Sequence, residues 1–389
     1  MSSTTTRPGM SSVGCVVPTT SADRITRMPS TRLLQVFFLV LASGAALART
    51  AEGEKGALTP IPFGSEVEAA DGPQFVAADA KNRPYLLLAN CSQVFPVLGD
   101  GSFGEPIALA AIPEPDAVVR AAAMEGDARI WVLLARGRLW RATPDEVKRM
   151  PDLAFRPDSL AVSGAGIAVG VLPFGTGKGA LAAPPRAGRS APLLFGLSGD
   201  RWEPRLFGEA VPGREEVEGV SYVELNQRSS LELAAGAKGR TWVVNRYFYL
   251  ARSVSPAGKV LVTLRGDATI RQAADDESLD GIAGRIAGER ERVGPRMAAL
   301  ANTGVNAILG LAEARDGRLY LVGQERGGRF LDRFDPVRLR VERVPLALEY
   351  AGRLTMAAGP EGLYLAGFGA QSGRWWLPWE TLEAIPKRA

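Results

Sequence analysis

Six polar residues stand just ahead of, or inside the start of, six short runs of small and aliphatic residues: Asp71, Asp116, Asp158, Arg228, Asn306 and Arg353. Brought to one point, the three carboxylates could supply an acid and a base for glycosidic or lactone chemistry. Together with the Asn306 amide they could instead hold a hard cation such as calcium through oxygen. Arg228 and Arg353 at the same level would repel that cation. Other chemistry is excluded outright. The 389 residues include no histidine, so a Ser-His-Asp triad, a Cys-His dyad, a zinc helix of the HExxH kind and an axial haem histidine are all ruled out. Two cysteines are too few for a disulfide scaffold or a four-thiolate metal site.

Several shorter motifs fail on spacing. Gly175-Thr176-Gly177-Lys178-Gly179 has the look of a phosphate loop, but no glycine stands five residues before Gly177, and Lys178 is followed by Gly. Its continuation, Ala182 to Arg189, reads as a surface insertion rich in Pro and Gly. Asp275-Asp276-Glu277 with Asp280-Gly281 misses the ligand spacing of a twelve-residue calcium loop. Arg265-Gly266-Asp267 is a tripeptide too common to carry meaning. Trp375, Trp376 and Trp379 would suit a stacking platform for sugar rings, although closure of a last sheet demands similar bulk.

The elements that must position these residues recur along the chain. A small-residue strand, a Gly or charged turn, and an aromatic or aliphatic strand appear six times, the second strands anchored at Tyr85, Trp131, Ala168, Trp242, Tyr320 and Tyr364. Three anchor spacings, 46, 37 and 44 residues, match the period of propeller blades; the other two, 74 and 78, contain insertions near 175–191 and 265–303. A third strand follows each anchor: Gln93 to Phe95, Leu139-Trp140, Leu193 to Phe195, Leu250 to Val254, Phe330 to Phe334, and Trp375 to Leu377. Small residues suit the inner strands, because strands crowd together near an axis. The expectation is an all-β propeller of six blades, each a four-stranded antiparallel sheet. Val220 to Leu225 stands as the relic of a seventh. Ile61 to Val67 is expected to supply the outer strand of the last blade, so that the chain's two ends pair and no sheet edge is left open. Within 267–301, Ile282, Ile286 and Val293 fall at helical spacing, which makes this a helical insertion able to cover a channel mouth or an apolar patch.

Two of the units carry a resemblance. Ala234-Ala235-Gly236-Ala237-Lys238-Gly239-Arg240-Thr241-Trp242-Val243, followed by Ser255-Pro256-Ala257-Gly258-Lys259, resembles an NHL-type blade. So does Ala314-Arg315-Asp316-Gly317-Arg318-Leu319-Tyr320-Leu321, continuing to Arg333-Phe334-Asp335-Pro336. Both are similar to units of the six-bladed NHL and SMP-30-like propellers. The resemblance covers about a quarter of residues 49–389, and its motifs specify a blade without specifying chemistry. Enzymes of the SMP-30-like kind use an oxygen-only metal site, which the absence of histidine permits. Their ligand motif has no residue-by-residue match here.

The N-terminal segment reads as an export signal. Arg24, Arg27 and Arg32 precede the apolar run Leu33 to Leu41 and the small-residue site Ala46-Leu47-Ala48. The run is shorter than the roughly 20 residues that span a bilayer. Residues 1–48 are therefore expected to be removed, with Met28 an alternative start, leaving 49–389 as one domain of 341 residues. Four Arg and one Asp leave with the signal, which reduces the net charge from +4 to +1. Charges of both signs are interspersed, so no nucleic-acid footprint remains. Cys15 also leaves. Cys91 then has no internal partner, although Asn90-Cys91-Ser92 spells a glycosylation acceptor for a eukaryotic secretory route. The bias to Ala, Arg, Gly and Pro is that of a GC-rich bacterium.

The expectation is thus a secreted or periplasmic monomer with no membrane span after cleavage, acting as a binding module for a protein or small molecule and needing no cofactor. The alternative is a hydrolase or lyase that works through carboxylates or an oxygen-ligated calcium ion at the axial mouth.

Overall fold

The computed structural model describes residues 57–384 apart from 65–73, 80, 89–91, 115–117, 127, 136, 154, 164, 173–189, 211–230, 246–248, 266–307, 326–327, 351–352 and 369–372. The signal segment, the Asn90-Cys91 pair, Val220 to Leu225 and the bodies of both insertions, including the helix expected at 267–301, lie outside the described residues.

One short strand, β1 (Ile61–Pro62), precedes five sheets that are consecutive in sequence. Blade 1 is β2 (Phe75–Ala78), β3 (Pro84–Leu87), β4 (Gln93–Pro96) and β5 (Ile107–Ala108). Blade 2 is β6 (Val119–Met124), β7 (Ile130–Leu134), β8 (Leu139–Ala142) and β9 (Val147–Arg149). Blade 3 is β10 (Arg156–Ser163), β11 (Gly166–Leu172), β12 (Ser190–Ser198) and β13 (Arg201–Ala210). Blade 4 is β14 (Leu231–Ala235), β15 (Thr241–Asn245), β16 (Leu250–Val254) and β17 (Val260–Arg265). Blade 5 is β18 (Ile308–Glu313), β19 (Leu319–Glu325), β20 (Gly328–Asp335) and β21 (Arg340–Leu346). Blade 6 is β22 (Arg353–Ala358), β23 (Gly362–Phe368) and β24 (Arg374–Pro378), with β1 as its fourth strand. Each inner strand lies against the inner strand of the next blade, and β22 lies against β2. The six sheets therefore close a ring, and the fold is an all-β six-bladed propeller. A five-residue helix, α1 (Trp379–Glu383), follows the last strand.

The burial pattern follows from this arrangement. A blade is covered on both faces by its neighbours, so its second strand needs apolar residues at every position rather than at alternate ones. Strands β3 (PYLL), β7 (IWVLL) and β15 (TWVVN) are buried throughout. Outer strands meet water: β9 has only partly exposed or exposed positions. Six apolar clusters fill the spaces between blades, one for each neighbouring pair.

The pairing of blade 6 with blade 1 is made like the others. Ile61 pairs with Trp376 and Pro62 with Trp375, so the closing strand comes from the N-terminal side, as expected from the sequence. Phe63 follows into the cluster between the blades, edge-on to Tyr364 at 5.5 Å. Turn chemistry is equally local. At the tip between β16 and β17, Gly258 adopts φ +83°, and its N–H donates to the Ser255 carbonyl at 2.9 Å.

Candidate functional site

The axis of the ring holds a cavity of about 920 Å³ lined by residues from all six inner strands. Its width has a direct cause in the pairing register. In every blade the residue opposite the anchor is alanine: Ala77 faces Tyr85, Ala123 faces Trp131, Ala161 faces Ala168, Ala234 faces Trp242, Ala312 faces Tyr320, and Ala357 faces Tyr364. All six alanines line the cavity. Side chains of this size let the inner strands approach closely without filling the axis. Gly310 shows how close the approach is, since a Cβ there would stand 2.8 Å from the Leu354 carbonyl oxygen of the next blade. Each inner strand is also the edge of its sheet, so one row of its backbone N–H and C=O groups faces the axis without a strand partner. One such group is already used: the Val76 N–H donates to Thr355 Oγ1 at 2.9 Å.

At the end where the inner strands begin, a charged network crosses the axis. Arg353 donates through Nε to Glu232 Oε2 at 2.9 Å and through Nη2 to Oε1 at 2.8 Å. Its Nη1 donates to the Arg120 carbonyl oxygen at 3.0 Å. The Arg120 guanidinium in turn donates to Asp158 Oδ1, through Nε at 2.6 Å and also through Nη2. Blades 2, 3, 4 and 6 are joined by these bonds. The Asp158 side chain is 1% exposed, and burial of a carboxylate at that depth requires the charge-assisted bonds that Arg120 supplies.

Of the six residues expected here, Asp158 and Arg353 meet in this one network through Arg120. Asp71, Asp116, Arg228 and Asn306 lie outside the described residues. Sequence reasoning missed Arg120 and Glu232, though a signal was present. Each stands directly before the small-residue run of its inner strand, Ala121-Ala122-Ala123 or Leu233-Ala234-Ala235, where a charge is out of keeping with an interior position.

The opposite end is formed by the hairpins that leave the inner strands. In blade 1 the Asp79 carboxylate caps the turn, accepting from the Lys81 and Arg83 N–H groups at 2.8 and 2.9 Å and from Arg83 Nε at 2.7 Å. Between blades 4 and 5, Glu313 accepts from Arg240 Nε and Nη2 at 2.9 and 2.8 Å, from the Ala237 N–H at 2.7 Å, and from the Trp242 indole. Both rim carboxylates are thus matched by arginines. Around the same rim stand Lys81, Lys238 and Arg315, each with an exposed side chain lining the cavity. Lys238 and its neighbour across the axis, Asn82, hold left-handed backbone at φ 55° and 59°, which non-glycine residues adopt at a cost.

The three tryptophans of blade 6 are used in packing. Trp375 contacts Tyr350 at 5.5 Å, Trp376 stacks on Tyr364 with an interplanar angle of 4°, and Trp379 meets Tyr320 at 5.4 Å. Burial, with help from Glu361 and Asp100, pushes the Tyr364 phenol up to about 12. Among the described residues no group of three or more His, Cys, Asp or Glu side chains is placed to hold a metal ion. No helix among them is long and apolar enough to cross a membrane.

No family model matches the chain, and no curated protein matches it. Solved structures with a similar course include a catalytically inactive virginiamycin B lyase from Staphylococcus aureus with quinupristin, at 10% identity and a TM-score of 0.43, covering 80% of this chain and 83% of that one. A luciferin-regenerating enzyme is similar at 12% identity and a TM-score of 0.45, covering 82% and 94%. A protein of unknown function from Bacteroides thetaiotaomicron VPI-5482 is similar at 12% identity and 0.45, covering 83% and 73%.

Proposed function

We propose that this chain is an exported propeller of the NHL and SMP-30-like kind that works as a binding module, taking a small molecule into its axial cavity. One observation carries the reading: the 920 Å³ space ringed by six alanines and six free strand edges. Cavities of about 300–1,000 Å³ suit small ligands, and polar groups converging on such a space fix a ligand's orientation. The two described carboxylates at the far end, Asp158 and Glu232, are already engaged by Arg120 and Arg353, which favours binding over acid–base or cation chemistry there. Access is from the hairpin end, because the Arg353 bridge crosses the other.

A fragment screen by ligand-observed NMR tests this reading, run on the purified chain and on a filled variant, Ala234→Leu with Ala312→Leu. Fragments that bind the parent and are lost on filling are the expected outcome. Fragments that bind both proteins equally, or neither, would overturn it.

A further inference from the structure

We infer that the ligand of the axial cavity is a small organic anion, held by its carboxylate or phosphate head at the hairpin rim with its hydrogen-bonding body along the strand edges. The inference rests on the axial-cavity reading and adds the chemical class of the ligand. Three observations carry it.

The rim is unequal in charge. Asp79 and Glu313 are each matched by an arginine, Arg83 and Arg240, whose guanidinium is spent on that carboxylate. Lys81, Lys238 and Arg315 are therefore a surplus of positive charge on the rim. Lys238 and Arg315 form no ion pair among the described residues, so their charge is directed at whatever enters. The three cations also surround the opening: blades 4 and 5 are neighbours, and blade 1 lies across the axis from blade 4. A mouth of one sign over low-dielectric walls concentrates ions of the other sign.

The walls suit a polar body better than an alkyl chain. Six strand edges present backbone donors and acceptors, and the alanines between them are too small to screen these groups. The floor repeats the sign of the rim only in part, because the Arg353 guanidinium is neutralised by Glu232. The anionic head therefore belongs at the rim and the neutral body below it.

The test uses N-acetyl-phenylalanine as the carboxylate probe, its primary amide as the neutral counterpart, and glycerol phosphate as the phosphate arm. Binding to the purified chain is followed by isothermal titration calorimetry at low and high salt. At least one anion is expected to bind tenfold or more tightly than the neutral amide, with affinity falling as salt rises. Lys238→Asn, which tolerates the left-handed backbone, and Arg315→Gln are each expected to weaken that anion several-fold while leaving the melting temperature unchanged. If the neutral amide binds as tightly as the anions and is lost on filling the cavity, the cavity reading survives and the anion assignment fails. If an anion binds but is indifferent to Ala234→Leu with Ala312→Leu, the site lies elsewhere and both fail. Failure of both anions to bind at millimolar concentration also overturns the assignment.

Discussion

Arg353 on the innermost strand of blade 6 grips Glu232 on the innermost strand of blade 4 with two parallel bonds of 2.9 and 2.8 Å, across an axis on which neither residue's blade touches the other. Both side chains are about nine-tenths buried. Arg353→Ala would leave the Glu232 carboxylate without its partner, and the expected loss is about 3 kcal/mol of unfolding free energy. Replacing both, Glu232→Met with Arg353→Met, should recover most of that loss, since a well-packed apolar pair avoids the desolvation penalty. Denaturant unfolding of the two variants measures this. Equal stabilities would show that the pair is not coupled.

Calcium is expected to leave the melting temperature unchanged. Asp158 accepts from Arg120 at a depth where a second cation would meet the guanidinium's repulsion. A rise on adding calcium, abolished by Asp158→Asn, would restore the carboxylate reading of the axial mouth.

Asp332 is fully buried between blades 4 and 5, accepting from the Tyr249 hydroxyl at 2.6 Å and from Arg343 Nε and Nη2 at 2.8 Å. Asp332→Ala strands both partners and should cost about 3–5 kcal/mol, whereas Tyr249→Phe removes one bond and should cost about 1–2 kcal/mol. Thermal unfolding that ranks the two in the opposite order would refute this assignment.

Alkaline pH offers a separate measurement. The Tyr364 phenol is raised to about 12 by burial first, then by Glu361 and Asp100. In the unfolded chain it ionises near 10. Between about 10 and about 12 the unfolded state has given up a proton that the folded state keeps, so stability falls as pH rises through that window. Below it Tyr364 contributes no slope. Tyr364→Phe keeps the stack on Trp376 and should flatten the fall while changing little at neutral pH. Parallel pH profiles for the two proteins would count against it.

The closing strand makes a further prediction. Phe63 packs between blades 6 and 1, so Phe63→Ala is expected to cost about 3–5 kcal/mol. A chain beginning at residue 65 would in addition bare the edge of β24 and should associate, as seen by size-exclusion chromatography. A monomer of parental stability would contradict the closure.

Much of this architecture was legible in the residues. Tyr85, Trp131, Ala168, Trp242, Tyr320 and Tyr364 all fall in second strands, because a strand buried on both faces must be apolar throughout and shows as an unbroken run. The third strands from Gln93 to Phe95 through Trp375 to Leu377 were equally clear. The site was less so. Asp158 and Arg353 could be singled out as polar groups at strand starts, but Arg120 and Glu232 were passed over, because a charged residue beside small ones reads equally well as the end of a turn. Lys238 was read only as part of a turn, and its place on the cavity rim depends on where the hairpin of blade 4 stands relative to those of blades 1 and 5.

The sequence by itself determined the six-fold repetition, the strand type at each position and the pairing of the chain's two ends, since each depends on local periodicity and on neighbours close along the chain. Tertiary structure alone decided the axial cavity and its charges. Arg353 and Glu232 are 121 residues apart, and Arg353 and Arg120 are 233 apart. Contacts at such separations arise only when the ring closes, because closure rather than any local pattern sets which side chains face each other across the axis.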